Sequence, residues 1–171
     1  MTEKEKDALK QLEDMFKETK LEDYIEQTKF TSTFESYCSQ NFDMKNLPKY
    51  LEDEASGVFN FDFILKIFLT SFLFKNLVYD KMKGPLISQR RKDLRDGENA
   101  KYKETFAKME ELEDKIFQSC LDRTKRHVQI LEENFNKSLQ KHIKVEENKK
   151  RLNKIEEVAH SHFMTAKSDM Y

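Results

Sequence analysis

Three glycines and two prolines are all that 171 residues hold of the two residue types that punctuate a chain. A doubly wound α/β enzyme of this length carries glycine-rich loops at its strand ends, so an all-α fold is the expectation. The same scarcity leaves little from which to build a loop that cradles phosphates, and none of the spacings GxxxxGK[ST], GxGxxG, HExxH or DxDxDG occurs. The two cysteines, Cys38 and Cys120, form no CxxC pair and no other ligand-like spacing. Both fall on apolar positions of predicted helices and read as buried thiols, which fits a reducing intracellular compartment, cytoplasm or nucleus.

A long uncharged run is missing as well. Twelve of the eighteen residues from Phe61 to Val78 are apolar, but Asp62, Lys66 and Lys75 interrupt them. A membrane span needs roughly 20 residues nearly free of charge, so the segment is predicted to be a core helix and no membrane contact is expected. The opening MTEKEKDALK is polar and free of arginine, unlike a secretory signal or an arginine-rich transit peptide.

What is present is charge, phenylalanine and helical rhythm. Charged residues make up 37% of the chain, and fourteen phenylalanines supply the large apolar groups that a disordered chain lacks. From Glu98 to Tyr171 there is neither glycine nor proline. Apolar residues recur there every three or four positions, through Tyr102, Phe106, Met109, Leu112, Ile116 and Cys120 and again through Leu152, Ile155, Ala159 and Phe163. Six acid–base pairs, from Glu104/Lys108 to Glu147/Arg151, place the acid four residues before the base, each adding roughly 0.2–0.5 kcal/mol to an exposed helix.

An unbroken helix over 99–166 would extend roughly 100 Å at 1.5 Å per residue, too long for a compact domain. A break or a register change is therefore predicted where the rhythm falters, in IKVEEN (residues 143–148), with a second possible break near Cys120 to Val128. Upstream, helices are predicted over about 3–19 and 21–40, a short one around 47–52, and another in LISQRRKDLR ended by Asp96-Gly97, with Asn99 as an N-cap. The Phe59, Phe61, Phe63 alternation gives the start of the Phe-rich segment strand character. These elements make an all-α helical bundle with a central Phe-rich helix and a long charged C-terminal helical region that folds back or projects. Residues 1–143 are expected to form the bundle domain, and 144–171 a lysine-rich extension or fold-back helix.

Function has fewer handles. His127, His142, His160 and His162 lack a motif-bearing nucleophile nearby in sequence, and residues two apart on a helix, such as His160 and His162, point in different directions. The carboxylates Glu110, Glu111, Glu113 and Asp114 crowd a polar helix face, where solvation explains them. No catalytic residue, cofactor or metal ligand is assigned. Two basic clusters stand out, Arg90-Arg91-Lys92 with Arg95, and a row of Lys137, Lys141, Lys144, Lys149, Lys150, Arg151 and Lys154 at spacings able to follow a phosphate backbone. Residues 1–60 carry a net charge of −6 and residues 121–154 one of +5. Lysines outnumber arginines 25 to six, which disfavours bidentate phosphate or base recognition. Leu152, Ile155, Val158 and Phe163 form a narrow stripe that needs something to pack on, and Phe68 and Phe72 lie on a helix apolar on every side. The expectation is a non-catalytic accessory or scaffold subunit acting through protein–protein contacts, with no small-molecule substrate. The alternative is a nucleic-acid-associated accessory subunit using the 137–154 face.

Overall fold

The computed structural model describes residues 2–4 and 30–170 and is helical throughout, apart from one small hairpin. Chain order is α1 (Phe30–Asn41), a 3-10 helix (Met44–Tyr50), β1 (Leu51–Asp53), β2 (Val58–Phe59), α2 (Phe61–Met82), α3 (Gly84–Arg95), α4 (Asn99–His127), α5 (Glu132–His142) and α6 (Glu146–Met170). The helix predicted over 3–19 and the first part of that over 21–40 lie almost wholly outside the described residues. Contacts divide the described chain into two compact units, one holding residues 77–116 and the other 32–76 with 117–170. The break at 143 therefore separates two helices of the same unit.

In the first unit, Gly84 and Pro85 open α3, where a missing backbone N–H costs nothing. Its end is a Schellman motif: Gly97 takes φ +71°, its N–H donates to the Leu94 carbonyl at 3.3 Å, and the Glu98 N–H donates to Asp93 at 2.8 Å. α4 begins one residue earlier than a cap at Asn99 would have it, with the Glu98 carbonyl accepting the first bond from Tyr102 N–H. Buried Asp93 ties the two helices together by accepting from Gln89 Nε2 at 2.8 Å and from Thr105 Oγ1 at 3.3 Å. Leu86, Met109, Leu112 and Ile116 are buried in this unit.

The second unit is built on rings. Along the first part of α2, Phe63 stacks on Tyr50 and Phe59 at 4.4 and 5.1 Å, Phe72 stacks on Phe117 at 4.3 Å, and Phe74 meets Phe34 edge-on at 5.1 Å. The partners come from α1, the 3-10 helix, β2 and α4, so rings from four elements pack on α2, in keeping with its all-round apolar pattern. Two of the polar side chains it buries bond its own backbone: Thr70 Oγ1 and Ser71 Oγ donate to carbonyls four residues back, at 2.8 and 2.7 Å.

The break predicted in 143–148 is found, while the one placed near Cys120 to Val128 falls at the far edge of that range, since the helix runs unbroken through His127. α4 stops before Gln129, which takes φ +59° in a second Schellman motif, with Ile130 N–H donating to Lys125 and Gln129 N–H to Arg126, each at 3.1 Å. α5 and α6 are separated by residues 143–145. The strand character read at Phe59 corresponds to β2, whose Phe59 pairs with Leu51 and whose Val58 pairs with Asp53, in antiparallel register with one irregularity.

Candidate functional site: a hairpin clip and a broken basic row

α5 presents Asn134, Lys137, Ser138, Lys141 and His142 on one side, at the spacings that align on a helix, and this side meets the β1–β2 hairpin. Ser138 Oγ donates to the Asn134 carbonyl at 2.6 Å and accepts the Phe59 N–H at 2.9 Å. His142 Nε2 lies 2.8 Å from the Phe59 carbonyl and 3.4 Å from Glu52 Oε2. Lys141 Nζ donates to Glu52 Oε1, and this bond holds the Glu52 carboxyl below the usual carboxylate range. Lys137 Nζ donates to the Ser56 carbonyl at 3.2 Å. The hairpin turn rests on the same helix: Gly57 takes φ +71°, and a Cβ there would sit 3.2 Å from Asn134 Oδ1. Asp53 shapes the turn, accepting from Ala55 N–H at 3.0 Å and Ser56 Oγ at 2.9 Å.

Serine, histidine and carboxylate are the residue types of a hydrolytic triad, but catalysis needs the base bonded to the nucleophile. Here the serine proton goes to Asn134, and the histidine and serine each bond the main chain of Phe59. The cluster works as a clip. It was missed in the sequence because its members lie as much as 90 residues apart; the one local signal was Ser138 and His142 at i and i+4 of an amphipathic segment.

The basic row is split by these bonds. Lys137 and Lys141 point at the hairpin, and Arg151 Nη2 binds Asp62 Oδ1 at 2.8 Å with its guanidinium 5.4 Å over the Phe61 ring. Lys144, Lys149, Lys150 and Lys154 are exposed, with Glu146 and Glu147 exposed beside them. Arg90, Arg91, Lys92 and Arg95 lie on α3 in the other unit.

The apolar stripe of α6 packs inside the chain. Ile155 forms a buried cluster with Phe61 and Leu65, against which Phe68, Leu69, Phe72 and Leu152 pack. Phe163 is also buried, whereas Val158 is 41% exposed. The ion pair of Lys75 with Glu156, at 3.6 Å, adds a polar anchor at the edge of this contact. Residues 146–163 thus fold back, and Phe68, Phe72, Leu152, Ile155 and Phe163 face the chain's own core.

Cys38 and Cys120 are buried and in no disulfide, and burial pushes the Cys38 thiol up to about 12. Among the described residues, no group of three histidine, cysteine or acidic side chains could hold a metal ion, and no helix is long and apolar enough to cross a membrane. In comparisons with known proteins, no family model, no curated protein and no solved structure matches the chain.

Proposed function

We propose that the protein is a non-catalytic helical accessory or scaffold subunit that acts through contacts with other proteins. The observation that carries this is the use made of Glu52, Ser138 and His142: groups with catalytic potential are consumed in fastening a hairpin to a helix. With the stripe of α6 satisfied internally, contacts fall to what remains outside, and Leu94, Phe106 and Val158 are the large apolar side chains to test first. The experiment compares proteins co-purifying with the wild type and with Leu94→Asp, Phe106→Asp and Val158→Asp variants of unchanged melting temperature. Loss of a defined, stoichiometric partner in one variant supports the proposal; the same partner set in all three removes these positions from it.

The alternative, a nucleic-acid-associated subunit, rests on Lys144, Lys149, Lys150 and Lys154, the exposed members of the basic row. Four phosphate contacts limit the slope of log affinity against log salt to about −3.6 for duplex DNA. A steeper slope that survives charge reversal at these four lysines would place binding elsewhere.

A further inference from the structure

A cleft of about 500 Å³ opens where the end of α1, the 3-10 helix and α2 meet. Lys45, Lys49 and Lys66 line it with one carboxylate, Asp43. Asp43 is spent on Lys49, whose Nζ lies 2.9 Å from Oδ2. Lys66 Nζ donates to the Asn41 carbonyl at 2.8 Å. α1 has no basic residue in its last turn, so Lys66 supplies from α2 the cation that this helix end requires. An ammonium has three donors, and this bond uses one. Lys45 is exposed.

Tyr50 adds a neutral donor. Its hydroxyl oxygen accepts the Asp43 N–H at 2.8 Å, which leaves its own proton to give. Its ring stacks on Phe63 at 4.4 Å, which takes one face, and Lys49 Nζ lies 5.2 Å from its centroid. The volume falls in the range of small-molecule sites, and lysines bind phosphate as point charges.

We propose that this cleft binds a small phosphate-bearing anion of the pyrophosphate type, held by Lys45, Lys49, Lys66 and the Tyr50 hydroxyl. Three cations against one carboxylate leave the site positive by two charges, matching a compact polyanion. With one face of the Tyr50 ring taken by Phe63, the cleft offers lysines rather than the row of open aromatic platforms that recognises a single-stranded nucleic acid.

The test is a titration of the isotope-labelled full chain with sodium pyrophosphate at constant ionic strength, followed by amide chemical shifts. Saturable shifts confined to residues 39–50 and Lys66, with affinity falling about tenfold or more in both Lys45→Glu and Lys66→Gln, support the proposal. Each variant is checked by its unchanged spectrum away from the cleft, and glutamine at 66 keeps a donor for the Asn41 carbonyl. Unsaturable shifts spread over lysines throughout the chain overturn it, as does unaltered affinity in Lys45→Glu. Displacement of pyrophosphate from these residues by a lower concentration of duplex DNA or of a phosphoserine peptide also overturns it, because the occupant is then a macromolecule.

Discussion

His142 Nε2 and the Phe59 carbonyl oxygen lie 2.8 Å apart and join positions 83 residues distant in the chain. A carbonyl only accepts, so the bond assigns the proton to Nε2. Because Ser138 takes the Phe59 N–H, one helix satisfies both main-chain polar groups of a strand residue. A two-stranded hairpin is marginal in water by itself, and this one is two and three residues long in its strands. α5 supplies what further strands supply in a larger sheet.

Ser138→Ala removes the acceptor of the Phe59 N–H at a fully buried position. The expected loss is about 1–3 kcal/mol, the usual cost of stranding a buried donor, measured by urea denaturation. Combined with His142→Phe, the losses should be non-additive because both side chains serve Phe59. Additive effects would show that the clip is not one unit.

Glu52 supplies the pH dependence of the same clip. Lys141 lowers its carboxyl in the folded state, so the pair's contribution is present above the unfolded carboxylate value near about 4.3 and is lost as pH falls through the folded value below it. The pair is solvent-exposed, which limits it to about 1 kcal/mol or less. Lys141→Met should flatten the acid limb of hairpin amide protection measured by hydrogen exchange, and 1 M salt should do the same by screening.

The fold-back of α6 separates two neighbouring positions. Ile155 is 9% exposed within an apolar cluster, while Val158 is 41% exposed. Ile155→Asp should lower the melting temperature by well over 5 °C, with faster hydrogen exchange across residues 152–163, because it buries a charge. Val158→Asp should shift it by little. Equal effects would contradict the docked arrangement.

Cys38 should be inert in the folded protein. With its thiol raised to about 12 by burial, only about one molecule in ten thousand carries the thiolate at pH 8. Labelling by a disulfide reagent is expected only as fast as the chain opens, rising sharply in denaturant. Rapid labelling under native conditions would show that the site is open.

The helices of the C-terminal third and the break at 143–145 were readable because they follow from local causes: scarce glycine and proline, apolar spacing, and a rhythm that falters in IKVEEN. So was the covering of α2, since a helix apolar all round has to be wrapped. The destinations of the cations were not. Each acid four residues upstream offers Lys137 or Arg151 a local partner, yet these side chains reach Ser56 and Asp62, 81 and 89 residues away. Glu104/Lys108 and Glu111/Lys115 do show the local pairing, at 3.8 and 3.5 Å. Long-range geometry decides between equivalent partners, and spacing carries no trace of it. The hairpin escaped for a related reason: a two-residue strand is too short to show a period.

The corner at Gln129 bears on the order in which the chain assembles. Left-handed backbone costs a side-chain-bearing residue about 1–2 kcal/mol, and KRHVQILEEN contains no glycine, proline or asparagine ahead of Ile130 to favour a stop there. A nascent segment therefore gains by continuing as one helix, and bends only when Val128 and Ile130 find their buried places. α4 and α5 are in this sense a single helix broken by its own tertiary contacts. Gln129→Gly would move that instruction into the local sequence, letting the corner form before the core does.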